Sequence, residues 1–337
     1  MSFVEFLEAV VQGEKFSAAQ AQECMRLILN GEASEIQVAA FLAAQRARGY
    51  HPPEIAGFAL ALREKCVLVE TEVEGLVDTC GTGGGSNSFN ISTAAAIVAA
   101  AAGARVAKHG NRAVTSHCGS ADVLEAMGVR LATDPDMARN QLDKVGITFL
   151  FAPHFHPAFK MVGPVRKALG IRTAFNLLGP LLNPARARRQ VIGVFEPGLT
   201  GVLAFALQEL GTDRAVVVHG EDGLDEVSPT NRTWMTVVEK ERVSVPVYDL
   251  DSFGMSAVSV ANTAGGATIE ENATILELSI GGVDTSRTEA IVPSASVALW
   301  AAGRVDNVRE GADLAREVIA SGAAKERLRL WREVSQE

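Results

Sequence analysis

Cysteine is scarce and scattered: Cys24, Cys66, Cys80 and Cys118 in 337 residues, with no CxxC spacing. That excludes a disulfide framework or a spaced zinc-finger set and points to reduced thiols. No apolar run approaches the ~20 residues that a membrane span needs; the longest falls at 94–104. No basic, apolar, small-residue leader opens the sequence, so the expectation is a cytoplasmic protein. Positive charge is in deficit, with 31 Lys and Arg against 40 Asp and Glu and a formal net charge of −9. Sequence-independent nucleic-acid binding requires a basic surface and is not expected. A phosphorylated metabolite stays possible, because cations can be concentrated in a cleft of an acidic protein. The two commonest phosphate motifs are also missing: GxxxxGK[ST] occurs nowhere, and the one approach to GxGxxG fails at Ser86.

What is present is a globular composition, 47% hydrophobic and 21% charged, long enough for one or two domains. The first ~65 residues carry four helical stripes at i, i+3, i+4, i+7. These are Phe3, Phe6, Leu7, Val10; Ala21, Cys24, Met25, Ile28; Ile36, Ala39, Ala40, Ala43; and Ile55, Phe58, Ala59, Leu62. Ser17 with Gln20 and Ser34 with Gln37 match the capping box, and Pro52-Pro53 suits a first helical turn. A linker-like stretch at 70–75 follows, and then strands alternate with helices. Strands are expected at 105–108, 147–151, 191–195 and 215–219, and helices at 121–127, 135–145, 157–169 and 203–210. This alternation predicts a mostly parallel sheet flanked by helices. From Arg232 the run RTWMTVV and then 243–247 predict an antiparallel excursion, and 309–332 reads as amphipathic helix broken at Gly322.

In such a fold, ligands gather beyond the carboxyl ends of the strands, and four polar stretches are placed to converge there. The first, DTCGTGGGSNSFNIST at 78–93, joins a buried strand end at Leu76-Val77 to an Ala-rich helix. Its glycines allow close backbone approach, and exposed N–H groups at the helix start would form an anion cradle. A glycine-rich linker with an N-capped helix is the competing reading. The second, KHGNRAVTSHCGSAD at 108–122, supplies Lys108, Arg112, Asn111, Ser116 and Ser120; surface ion pairs are its alternative. The third, EDGLDEVS at 221–228, crowds Asp222, Asp225 and Glu226 at a strand end, where hard oxygens suit Mg²⁺; a solvated acidic turn competes. The fourth, HFHPAFKMVGPVR at 154–166, has two histidines without a third ligand at recognisable spacing, so an apolar-aromatic wall ending in Arg166 is favoured over zinc. Arg166 could bind a carboxylate through both arms of its guanidinium.

Taken in order, these stretches with HPAFKMVGPVRKALGIRTAFNLLGPLLNPARARRQVIGV and VHGEDGLDEVSPT closely resemble anthranilate phosphoribosyltransferase, over nearly the whole chain. The resemblance implies a helical domain at 1–66, with a contributed segment near 163–184, and an α/β domain at 67–337 that binds phosphoribosyl pyrophosphate. It implies a homodimer through the helical domain, and a reaction in which the amine of anthranilate displaces pyrophosphate from ribose C1, using Mg²⁺. By the same resemblance Gly81, Gly84, Ser88, Asn90, Ile91, Ser92, Thr93, Lys108, His109, Gly110, Asn111, Arg112, Ser116 and Ser120 contact phosphoribosyl pyrophosphate. Gly81, Asn111 and Arg166 hold anthranilate, with His109 and Pro180 along its approach. Ser92, Asp225 and Glu226 are the implied magnesium ligands, and Lys108, Asn111 and Arg112 the implied catalytic groups. The family's first loop usually reads GTGGD and is one residue longer; here the Asp is absent, either replaced by Gly85 or deleted. Either phosphoribosyl pyrophosphate then binds less well or, the favoured reading, Ser86, Asn87 and Ser88 fold inward to replace the contact. Cys118 stands where serine is more usual.

An arylamine is neutral at pH 7, so no strong general base is needed, and no nucleophile–base pair stands out. Positioning and charge stabilisation would carry the reaction. A pyrimidine nucleoside phosphorylase and a non-catalytic, nucleic-acid-binding relative are the alternatives of the same fold. The Asp225-Glu226 pair and Arg166 argue against the first, the intact loops and the negative charge against the second.

Overall fold

The structure is a computed structural model that describes residues 1–84, 88–113 and 117–337. Four helices open the chain: α1 (Phe3–Val11), α2 (Ala18–Leu29), α3 (Glu35–Arg48) and α4 (Pro52–Arg63). Ser17 and Ser34 each accept from the third helical N–H while Gln20 and Gln37 reach back, closing both expected capping boxes; Ser2 and Glu5 form a third. The expected stripes of α2 and α4 are buried throughout. That of α3 is not. Ile36 is 83% exposed, and the inward face is Val38, Phe41, Leu42 and Gln45. Both sets have helical spacing, but the second removes far more apolar area from water, chiefly through Phe41 and Leu42. Between these helices Glu54 is fully buried, accepting from the Phe16 N–H at 2.8 Å and pairing with Arg48.

Eight strands follow: β1 (Val77–Asp78), β2 (Val106–Gly110), β3 (Ile147–Phe151), β4 (Arg189–Gly193), β5 (Arg214–Gly220), β6 (Thr233–Glu239), β7 (Arg242–Ser244) and β8 (Val247–Tyr248). They pair in the order β3-β2-β1-β4-β5-β6-β7, with β8 also on β6. The first five run parallel, and β6 turns antiparallel against β5, as the alternating run from Arg232 indicated. β4 begins and ends two residues before the expected 191–195, although the Val194 N–H still donates to the Val218 carbonyl of β5 at 2.9 Å. Side chains alternate across the sheet. Val191, Val216 and Val218 face the core containing α5 (Ile91–Ala101) and the C-terminal helices; Ile192, Val194 and Val217 face the core containing α1 to α4.

Val165, Phe175, Leu178 and Leu182 also enter the core of α1 to α4, so the stretch around 163–184 packs with the N-terminal helices. The helix carrying Arg166 spans Phe159–Leu169, starting two residues after the expected Pro157, and the one expected at 203–210 spans Leu199–Glu209. The C-terminal region is two helices, Val308–Ala320 and Ala323–Ser335, parted at Gly322 with φ +78°. Helices Ile269–Ile280 and Thr285–Ala301 were not anticipated. The second is buried on nearly all sides and contains Pro293, so it lacks the one-sided stripe that marks a surface helix.

Candidate active site

The chain runs β1, β2, β3 outward on one side of β1, then returns to place β4 on the other side. The carboxyl ends of β1 and β4 therefore flank the switch point, where an open α/β sheet leaves a crevice. A cleft of about 1300 Å³ opens there. Gly81 and Thr82 leave β1 along the end of β4, with the Thr82 N–H donating to the Gly193 carbonyl at 2.9 Å. Gly193 has no room for a side chain: a Cβ would fall 1.7 Å from the Asp225 carbonyl oxygen. The acidic turn after β5 is thereby pressed against the glycine loop.

The cleft brings together Gly81, Gly84, Ser88, Asn90, Ser92, Lys108, His109, Gly110, Asn111, Arg112, Ser120, Arg166, Pro180, Asp225 and Glu226. Ile91 and Thr93 do not line it. Both are buried in the first turn of α5, their N–H groups donating to the carbonyls of Phe89 and Asn90. The residues Gly85, Ser86, Asn87 and Ser116 lie outside the described residues, and so does the expectation that Ser86 and Asn87 replace the missing loop Asp.

One chain of hydrogen bonds ties the donor-side groups together. Lys108 is buried, its Nζ donating to the Thr79 carbonyl at 2.7 Å, to Thr79 Oγ1 at 3.1 Å and to Ser92 Oγ at 3.2 Å. The Ser92 N–H donates to Glu226 Oε1 at 3.1 Å, and Ser294 Oγ donates to Oε2 at 3.2 Å. Burial, with the adjacent Asp225 charge, pushes the Glu226 carboxyl up to about 7, while Lys108 and these two hydrogen bonds pull the other way. Two crowded carboxylates, one of them pushed up by desolvation, make an environment that favours a bound cation.

Arg112 answers part of its alternative reading. Its guanidinium pairs with Asp122 at 3.0 Å and with Glu125, and lies over the Phe151 ring. Hydrogen bonds to Glu125 and Asp122 raise it further above its ordinary value. Asp122 had no expected role, yet its Oδ2 accepts from the N–H groups of Ala113 (2.9 Å) and Gly119 (3.0 Å), closing the loop after β2. The Asn90 side chain joins the two loops by donating to the Cys118 carbonyl at 3.1 Å.

On the other wall Arg166 lies over the rings of Phe159 and Phe175, and burial alone lowers its pKa. His154 is exposed while His156 turns inward, so the two do not converge as a metal pair. His156 instead meets His109, Nε2 to Nε2 at 3.1 Å. Burial pushes His109 down to about 3, with His156 adding to it, and burial pushes His156 down to about 4. Lys160, Lys167 and Arg172 also line the cleft. Arg172 donates to the Gly84 carbonyl and stacks on Phe195, 4.1 Å from the ring centre, while its own carbonyl accepts from Arg46 of α3.

The first wall offers backbone donors, a lysine and paired carboxylates; the second offers a guanidinium between aromatic rings. Residues 4–66 match the glycosyl transferase family, helical bundle domain, and residues 73–325 match the glycosyl transferase family, a/b domain. The anthranilate phosphoribosyltransferase of Moorella thermoacetica is 46% identical over 323 residues, 96% of this chain and 95% of the relative. That of Synechococcus elongatus is 46% identical over 326 residues, 96% and 93%. The chain belongs to the anthranilate phosphoribosyltransferase family. The family's structure from Thermus thermophilus superposes with a TM-score of 0.92 at 40% identity, covering 100% of both chains. The Saccharomyces cerevisiae enzyme in complex with PRPP and Mg gives 0.87 at 28% identity, covering 99% and 98%.

Proposed function

We propose that this chain transfers the phosphoribosyl group of phosphoribosyl pyrophosphate to the amine of anthranilate, a pentosyl transfer in tryptophan biosynthesis. The observation that carries the reading is the meeting, in one cleft, of the glycine loop, Lys108 and the Asp225-Glu226 turn with Arg166 opposite them. Family membership favours this transfer over the phosphorylase and nucleic-acid-binding alternatives. In the reaction the ribose C1–oxygen bond breaks, pyrophosphate leaves with the bonding pair, the amine nitrogen bonds C1, and the amine loses a proton to solvent.

Gly81 and Gly84, with Ser88, Asn90, Ser92, Gly110, Asn111 and Ser120, would hold the phosphates and ribose. Ile91 and Thr93 would act from beneath, through the first turn of α5. Lys108 fixes the Thr79 and Ser92 ends of the donor loop, and its charge favours the departing anion. Arg112 would turn from Asp122 and Glu125 toward the phosphates. Asn111 would sit between the two substrates. Arg166, held over Phe159 and Phe175, would pair with the anthranilate carboxylate, and the neutral His109 and Pro180 would flank its ring.

The donor set fits Mg²⁺: Asp225 and Glu226 are hard oxygen ligands, and the upward push on Glu226 is relieved by a cation. Ser92 would complete the set. Bound magnesium would neutralise charge on the diphosphate.

The same reading divides the chain at 66/67 into a helical domain, which takes in 163–184, and an α/β domain. It makes the protein a cytoplasmic homodimer through the helical domain. Exposed Val4, Val11 and Ile36 on that layer support a second copy there, and no helix among the described residues is long and apolar enough to cross a membrane. The test is the loss of anthranilate fluorescence in the presence of phosphoribosyl pyrophosphate and Mg²⁺; no loss at saturating substrates would overturn the reading.

A further inference from the structure

Behind the groups assigned above, the floor of the cleft holds a second set of ligand atoms. Asp78 ends β1, Cys80 lies two residues on, and His109 stands in the neighbouring strand β2. A carboxylate oxygen, the thiol sulfur and an imidazole nitrogen from these three lie within 4.8 Å of one another. All are at least nine-tenths buried. The backbone holds them in place: Asp78 Oδ1 accepts from the His109 N–H at 3.0 Å, and Oδ2 accepts from Asn183 Nδ2 at 2.8 Å. Cys80 and His109 also line the cleft, which gives an ion a way in.

The imidazole supplies the independent observation. His109 Nε2 is engaged by His156 Nε2 at 3.1 Å, while its buried Nδ1 makes no hydrogen bond among the described residues. In the tautomer in which His109 donates from Nε2 to His156, its lone pair lies on Nδ1. Metal-bound histidines use that arrangement, in which the far N–H is held by an acceptor and the near nitrogen is free to ligate.

The geometry points to a soft divalent-metal site, for Zn²⁺ or a chemically similar ion, formed by Asp78, Cys80 and His109 and separate from the Asp225-Glu226 turn. Tetrahedral ligand atoms ~2.0–2.3 Å from zinc lie ~3.3–3.8 Å apart, so closing from 4.8 Å takes movements of about an ångström. The thiol becomes a thiolate on binding and its proton leaves to solvent. Carboxylate and thiolate then neutralise the ion. Lys108, held on the Thr79 carbonyl at 2.7 Å, is the like charge the ion must tolerate. Thiolate and imidazole select zinc over magnesium. Occupancy would lock His109, beside the proposed acceptor approach, so zinc should inhibit transfer even at saturating Mg²⁺.

The test is titration of the full-length protein with Co²⁺, without oxygen and with excess Mg²⁺ filling the carboxylate site. The expected result is a thiolate-to-cobalt charge-transfer band that saturates at one equivalent and is displaced by Zn²⁺. Cys80→Ala and Cys80→Ser should both abolish it. Cys118→Ala should keep it, and His156→Ala should weaken cobalt binding by about 10- to 100-fold. No band in the wild type, a band that survives both Cys80 substitutions, or a band lost in Asp225→Asn/Glu226→Gln would each overturn the site. The spectrum does not depend on turnover, so its outcome is separable from that of the transfer assay.

Discussion

Two neutral histidines in the wall of the cleft should make the protein acid-sensitive in a way that can be isolated. Burial lowers His109 to about 3 and His156 to about 4, against 6.5 in an unfolded chain. The unfolded state therefore binds more protons than the fold below pH 6.5, and stability is lost as pH falls through that window. At pH 5 each histidine costs about 2 kcal/mol relative to pH 7.5, or about 4 kcal/mol together. Asp78 and Glu226, raised to about 6 and about 7, push the other way, gaining stability as they protonate. Those terms cancel if the wild type is compared with His109→Gln/His156→Gln, which leaves both carboxyls in place. The assay is urea unfolding from pH 7.5 to 5 in buffer with a chelator. The difference between the two proteins should swing toward the variant by about 4 kcal/mol as the pH falls, whatever its value at pH 7.5. Parallel pH curves would show that the two rings are solvated or already charged, and the argument from burial would fail.

Arg166→Ala removes a charge-assisted pair worth roughly 1.5–3 kcal/mol, which should raise the anthranilate KM about 10- to 150-fold; an unchanged KM would make Arg166 structural. Asp225→Asn/Glu226→Gln should abolish magnesium-dependent turnover with the fold intact by circular dichroism, and full activity would remove the metal assignment. Asp122→Ala strips two backbone N–H groups and Arg112 of their acceptor. It should raise the KM for phosphoribosyl pyrophosphate at least tenfold with little change in that for anthranilate, and equal shifts in both would show a general loss of structure.

The sequence announced what is local and periodic. The stripes of α2 and α4, the capping serines at 17 and 34, and strand Ile147–Phe151 all appear at the expected positions. Periodicity failed where two stripes competed, as on α3, and where a helix is enclosed, as at Thr285–Ala301. The polar loops were legible because a glycine- and hydroxyl-rich strand end has little other use in a core. Contacts between distant segments were not. His156 meets His109 across 47 residues, and Arg172 meets Gly84 across 88; neither pair has a spacing to read. Asp122 could have been found, since it stands three residues after Gly119 at the start of a helix, the position from which an acid reaches back to the preceding N–H.

The two walls of the cleft belong to different cores, and that division bears on how two substrates can be brought into line. The donor wall is anchored by α5 and the ends of β1, β2 and β5, whose Val77, Val106, Val216 and Val218 pack toward the C-terminal helices. The acceptor wall is the Phe159–Leu169 helix, whose Val162 and Val165 are buried with α1 to α4. Positioning contributes to the rate only if these walls hold a fixed separation, because an error of an ångström can cost a hundredfold. Arg172 is the group that spans them. Its carbonyl is held by Arg46 from α3, its guanidinium rests on Phe195, and its far end holds the Gly84 carbonyl. Gly84 has φ +83°, and a Cβ there would lie 2.9 Å from the Arg172 guanidinium. Glycine is thus favoured at this position by its backbone angle, and a side chain there would also have to displace the end of Arg172. The helical layer thereby reaches the donor loop through Arg46 and Arg172, a link that the glycine pattern alone did not disclose.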